Sequence, residues 1–269
     1  MTGYLIYDSL GIKRNEWFIN NLISEASAHG VTLILKNYSS VKDAKKDDLP
    51  EFAIVRTINP KINKYYNSRG VICFNNYKTS KIANSKWLTF KFAKKLGISV
   101  MPTKRLNKIN AKKIKYPFIA KSVNGHGGNE VFLINNKEEY DNLIKNVNAK
   151  NYIMQPVCSS VGKEIRVYLL SGKILASVLR SSETSFKSNF SLGGKASLTE
   201  INETQKQIVT GVYKSLNPTF VGIDFILDNG VWVLNEIEDA VGCRMLYELT
   251  DLNVHKLFIN YVIEKIKNN

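Results

Sequence analysis

The chain of 269 residues is long enough to bury a substantial core and to divide into two or three small lobes. Its 44% hydrophobic and 23% charged residues describe a globular protein rather than a disordered tail, and no apolar run approaches the roughly 18 residues of a membrane span. The formal charge of +15 points to an anionic partner, but the surplus lysines are scattered (Lys42, Lys45 and Lys46; Lys112, Lys113 and Lys115; Lys256, Lys265 and Lys267) and no nucleic-acid motif accompanies them, so solvated faces explain most of them and a nucleotide or anionic substrate is the more economical partner.

Met1 to Asp8 has no basic segment ahead of its apolar residues, so it reads as a first strand rather than a signal peptide, and the chain as cytoplasmic. Strands over residues 4–7 and 31–35 flank an amphipathic helix from about Glu16 to Ala28, ended by His29-Gly30. Two more strands, Phe52-Ala53-Ile54-Val55 and Val71-Ile72-Cys73-Phe74, make residues 1–76 a small α/β domain with a parallel sheet. Arg56, Asn75 and Asn76 then stand at strand C-terminal ends, the usual ligand side, which makes Arg56 a candidate substrate contact unless it serves a surface salt bridge. One helix is expected from about Lys78 to Leu96, capped by Gly97, with Trp87 and Phe90 in the core.

Pro117 to Lys121 and Glu130 to Ile134 read as strands joined by Ser122-Val123-Asn124-Gly125-His126-Gly127-Gly128-Asn129. A glycine loop between two strands is neither a Walker loop nor a dinucleotide fingerprint, both of which open a helix. Gly125, Gly127 and Gly128 would let backbone amides approach a polyphosphate, and Lys121 would bring positive charge to the same place; a flexible hairpin loop is the alternative. A helix over about 137–146 leads to a strand over 152–155 and the break Pro156-Val157-Cys158.

In the strand that follows, Glu164 and Arg166 share one face, suited to ribose hydroxyls and phosphates respectively, or to a cross-strand ion pair. A second strand over 173–180 ends at Arg180, and a serine-rich loop carrying Lys187 and Asn189 runs to Gly193-Gly194. Phe220 to Glu238 then forms a hairpin about Asp228-Asn229-Gly230. With those three residues as the loop, Asp224, Glu236 and Glu238 point to one side, a set of oxygen donors suited to Mg²⁺; a two-residue loop would put Asp224 on the other face, and a solvated acidic face is the bland alternative. Cys73, Cys158 and Cys243, like His29, His126 and His255, lack metal-site spacing, and no Gly-x-Ser-x-Gly elbow supports a hydrolytic triad.

Taken in order, these features resemble the ATP-grasp carboxylate-amine ligases, particularly the RimK-like glutamate ligases, over essentially the whole chain. The resemblance implies an α/β ATP-grasp fold: an N-terminal βαβ pre-ATP-grasp domain (1–76), a connecting helix (77–100), an α+β small lobe with a glycine-rich lid (101–157) and an α+β large lobe with the metal site (158–269), the two lobes clasping the nucleotide. It implies that Lys86 and Lys121 bind ATP phosphates under a lid carrying Gly125, Gly127 and Gly128. Gln155, Val157 and Cys158 correspond to the adenine hinge and Glu164 to the ribose contact. Arg166, Arg180, Lys187 and Asn189 fall at the phosphate, acyl-phosphate and acceptor positions. Asp224, Glu236 and Glu238 would hold Mg²⁺, two ions in such enzymes, with Mn²⁺ able to substitute.

Two departures stand out. Glu238 replaces the family's usual asparagine, adding one negative charge, and Asp239-Ala240-Val241-Gly242-Cys243-Arg244 replaces a Pro-Gly, making Arg244 a candidate carboxylate contact or a surface residue. The implied activity is ATP-dependent amide formation between an anionic amino acid or peptide carboxylate and an amine, by a protein without membrane attachment and able to form an oligomer. Rival readings are another ATP-grasp branch with a different acceptor or a phosphotransferase, and an inactive nucleotide- or nucleic-acid-binding protein.

Overall fold

The computed structural model describes residues 1–107, 114–128, 130–182 and 195–268. The chain opens with β1 (Thr2–Tyr7), α1 (Ser9–Ala28), β2 (Thr32–Asn37), α2 (Val41–Ala44), β3 (Phe52–Val55), α3 (Pro60–Asn67) and β4 (Ile72–Phe74). Their strands form a parallel sheet in the order β2-β1-β3-β4. α1 begins well before Glu16, because Asp8 caps it by accepting from the Gly11 amide at 2.6 Å. The helix is interrupted at Asn15 (φ −123°, ψ 20°), whose side-chain amide donates to the Gly11 carbonyl at 2.8 Å.

The single helix expected over 78–96 is two: α4 (Tyr77–Ala83) and α5 (Lys86–Lys95). The break falls at Asn84-Ser85, where Ser85 caps α5 and leaves Lys86 as its first residue. Trp87 and Phe90 are half-buried rather than core, stacked on each other with centroids 5.5 Å apart and with Arg105 over the indole.

Next come β5 (Lys104–Arg105), β6 (Phe118–Ser122), β7 (Val131–Ile134), α6 (Lys137–Asn146) and β8 (Tyr152–Pro156), with an antiparallel sheet ordered β5-β8-β6-β7. The rest comprises β9 (Lys163–Leu170), β10 (Lys173–Ser181), β11 (Lys195–Leu198), α7 (Glu203–Leu216), β12 (Phe220–Asp228), β13 (Val231–Glu238), α8 (Arg244–Leu249) and α9 (Val254–Lys267), around an antiparallel sheet ordered β11-β10-β9-β12-β13.

Burial ties these layers together unevenly. One apolar cluster joins the first sheet and α1 (Leu5, Phe18, Leu22) to the large sheet and α9 (Tyr168, Phe220, Phe258). A second fills the other face of the large sheet beneath α7 and α5, with Val167, Phe225, Val212 and Ala93. The β5–β8 lobe has a cluster of its own, including Phe118, Ala120, Tyr140 and Met154.

Candidate active site

The acidic face depends on a detail that alternation does not reveal. The β12–β13 turn has two residues, Asn229 and Gly230, both left-handed (φ 48° and 78°), in place of the expected three-residue loop. Asp228 pairs with Val231 and Phe225 with Leu234, a register that would set Asp224 opposite Asn235 and turn Glu236 away. A β-bulge at Asn235 shifts the pairing by one residue, so that Asp224 faces Glu236 and Gly222 faces Glu238. The three carboxylates therefore share a face by a different route from the one expected.

Across the sheet, Asp224 lies opposite Arg166, and Glu164 opposite Arg180. Arg166 binds both Asp224 oxygens, Nε to Oδ1 at 2.8 Å and a terminal nitrogen to Oδ2 at 2.7 Å, and pairs with Glu238 through its other terminal nitrogen. Arg180 reaches Asp224 at 2.9 Å and Glu164 at 2.6 Å. Lys86 sits 3.0 Å from Glu236 and donates to the Gly125 carbonyl at 2.5 Å. Burial pushes the Asp224 carboxyl up, but Arg166 and Arg180 outweigh it and hold the group down at about 2. Burial likewise opposes ionisation of Glu236, and Lys86 overcomes it; for Glu164 and Glu238 burial wins and both titrate above the usual carboxylate range.

These groups line one cavity of about 400 Å³ between the β5–β8 lobe and the large sheet. From the smaller lobe come Lys121, His126, Gly127, Gly128 and Gln155; Val157 and Cys158 line the turn between lobes. Gly127 and Gly128 are left-handed (φ 69° and 77°), so side chains there would strain the loop. Gly125 does not line the cavity, but a Cβ on it would come within 2.7 Å of a Glu130 oxygen. Gln155 is buried and donates to Thr103 at 2.8 Å. Burial depresses the Lys121 ammonium and the His126 imidazole, and raises the Cys158 thiol, so the cavity offers no ready thiolate nucleophile.

The rim separates two of the expected substrate contacts. Arg244, at the start of α8, lines the cavity, and so does Arg14 from α1, just before the break at Asn15. Arg56 lies outside the cavity: it is buried, and its guanidinium donates to the Tyr7 hydroxyl at 3.0 Å and to the Val241 carbonyl at 2.7 Å, which docks β3 against the segment after β13. Sequence reasoning missed Arg14 because it assumed that the helix begins later; the signal was Asp8 three residues ahead of Gly11. It also missed Asn235, whose side chain enters the cavity because of the bulge. Lys187 and Asn189 lie outside the described residues.

Asp224, Glu236 and Glu238 are hard oxygen donors on one face, the donor set Mg²⁺ takes. As the side chains stand, Arg166 and Lys86 draw these carboxylates apart, and among the described residues no three acids converge on one point. The Glu238 oxygen nearest Arg166 is buried in that ion pair without an aligned hydrogen bond. A divalent ion between these donors would replace neutralisation that the cations now supply.

A nucleotide-sized cleft between an antiparallel lobe and a larger sheet, behind a parallel N-terminal domain, is the architecture of the ATP-grasp ligases. The D-alanine–D-alanine ligase from Bacillus anthracis superposes with a TM-score of 0.76 at 16% identity, over 100% of this chain and 98% of that one. The protein is an ATP-dependent ligase of this class. More particularly, it belongs to the RimK-like ATP-grasp family, whose domain model matches residues 85–262. It is 33% identical to "Uncharacterized protein MG011" of Mycoplasma genitalium over 272 residues, 98% of this chain and 93% of that protein. It is 32% identical to N-acetylaspartylglutamate synthase A of Homo sapiens over 162 residues, 59% of this chain and 41% of that protein. No helix among the described residues is long and apolar enough to cross a membrane.

Proposed function

We propose that the protein forms an amide bond between the carboxylate of an anionic amino acid or peptide and an amine, through an acyl-phosphate. The observation that carries the anionic substrate is the contrast between inner and rim cations. Inside the cavity Lys86, Lys121, Arg166 and Arg180 stand against Glu164, Asp224, Glu236 and Glu238, a balanced set. ATP with two Mg²⁺ is itself close to neutral, so nucleotide binding leaves that balance unchanged. Arg14, Lys163 and Arg244 are left over: all three line the cavity, are exposed, and make no ion pair with any described residue. A carboxylate is their natural counterpart, since a planar guanidinium matches it in two hydrogen bonds.

In this reading the γ-phosphoryl group passes from ATP to a carboxylate oxygen of the substrate, releasing ADP. The amine then attacks the acyl carbon, phosphate leaves and the amine gives up a proton. Asp224, Glu236 and Glu238 would hold Mg²⁺, which neutralises charge on the transferring phosphoryl group. Lys86 and Lys121 fix the phosphates, while the Gly127-Gly128 segment covers them and excludes water. Arg166 and Arg180 swing between their acidic partners and the transferred group. Gln155, Val157 and Cys158 receive the base, and Glu164 the ribose. Glu238, standing where relatives of this type usually have asparagine, keeps an oxygen donor at the third metal position.

The test is phosphate release from ATP and Mg²⁺ with pools of amino acids and peptides, products being read by mass. Release that depends on an acidic amino acid or peptide, with a product heavier by an amide condensation, is expected. Turnover supported only by uncharged co-substrates, or a phosphorylated product without condensation, would sink the proposal.

A further inference from the structure

Asn235 is the extra residue of the β13 bulge, and the bulge turns it to the cavity beside Glu236. Its side chain joins the two lobes. Oδ1 accepts from the Lys121 ammonium on β6 at 3.0 Å, and Nδ2 donates to Oε1 of Glu164 on β9 at 2.9 Å. A cation at one end and a carboxylate at the other leave the amide only one sensible orientation. Glu164 spends its other oxygen on Arg180.

We infer that Asn235 is a positioning residue, a neutral spacer that keeps Lys121 from closing an ion pair with Glu164 and so holds both ready for nucleotide. The inference rests on the nucleotide reading given above. Lys121 is half-buried and also feels Glu236, but Glu164 is the carboxylate across the amide from it, so without the amide the lysine and Glu164 would neutralise each other directly. Such a pair would occupy the ammonium needed by phosphate and the carboxylate needed by ribose. A single bond to a neutral oxygen is weaker than one to a carboxylate, so the lysine moves to an arriving phosphate at small cost. The bulge does two things with one inserted residue: it restores the acidic face, and it supplies the spacer.

The inference separates two variants of the full-length protein, titrated calorimetrically with ATP and Mg²⁺ in the absence of co-substrate. Asn235→Asp is isosteric but traps Lys121, so it should weaken ATP binding by about tenfold or more, and about fivefold more than Asn235→Ala does. Asn235→Gln keeps both functional ends and should bind within about threefold of wild type. Turnover at saturating ATP should stay within about threefold of wild type in Asn235→Asp, placing its defect in KM for ATP rather than in kcat. Thermal unfolding confirms that each variant is folded. Asn235→Asp binding ATP as well as wild type, or Asn235→Ala proving the weaker of the two, overturns the spacer role and leaves the ligase reading standing. A wild-type protein that binds no ATP overturns the nucleotide reading itself.

Discussion

Arg166 and Asp224 stand directly opposite each other on β9 and β12, and the guanidinium grips both carboxylate oxygens at 2.8 and 2.7 Å. The aspartate that would take a metal ion is therefore also the anchor for two buried arginines, and one substitution there has two effects. Asp224→Ala should abolish turnover and also destabilise the fold by about 3–5 kcal/mol, because Arg166 and Arg180 lose a buried counter-ion. Phosphate release and urea unfolding report the two effects separately. Asp224 titrates below its unfolded value, so its stabilisation is present above the ordinary carboxylate pKa and is lost as pH falls toward 2.

The rim arginines make a different prediction. Arg14→Ala and Arg244→Ala should each raise the apparent KM of the anionic co-substrate by about one to two decades while leaving that of ATP unchanged. Steady-state kinetics with each substrate varied in turn decides the matter. An effect on ATP alone would assign the rim to phosphate.

Arg56→Ala should behave in the opposite way. Its guanidinium is committed to Tyr7 and Val241 beneath the rings of Phe18 and Phe220, so the variant should lose about 2–4 kcal/mol of stability with little change in co-substrate KM at temperatures where it remains folded. A raised co-substrate KM without lost stability would return Arg56 to the substrate site.

Asp239 offers a pH signature away from the cavity. It is fully buried, accepting from Asn75 at 2.6 Å and Asn84 at 2.9 Å, and burial pushes its carboxyl above the ordinary range despite these bonds. The folded protein holds that proton longer than the unfolded chain, so Asp239 costs stability progressively as pH rises from the ordinary carboxylate value through the raised one. Asp239→Asn should flatten this part of the profile. It should also be less stable than wild type at every pH, since the amide presents a donor where Asn75 and Asn84 already donate. Denaturant midpoints of both proteins from pH 4 to 8 give the difference; parallel curves would mean that Asp239 does not titrate in this range.

Much of the site was legible because its residues are chemically unusual where they stand: Asp224, Glu236 and Glu238 break apolar strands, and glycines crowd a strand connection. The register was not, because a turn of two residues and a bulge yield the same facing as a turn of three, and periodicity cannot separate the two. The break at Ser85 and the start of α7 left signals that were available to read, a serine cap and the Asn202–Gln205 capping box. The location of Arg56 had no local signal at all. Its partner Val241 lies far along the chain, and only the docking of the first sheet on the large lobe brings them together.

The private core of the β5–β8 lobe has a consequence for how the molecule opens. Its buried residues run only from Leu106 to Met154, whereas the N-terminal sheet, large sheet and α9 share a single cluster. If the lobe carrying Lys121 and the glycine loop moves as a rigid jaw, it parts the polar contacts from Lys121 to Asn235 and from Lys86 to Gly125 and Val123, while its own core stays closed. The remaining layers unfold as one cooperative block, so amide exchange should sort the chain into two populations, with the smaller lobe as the faster.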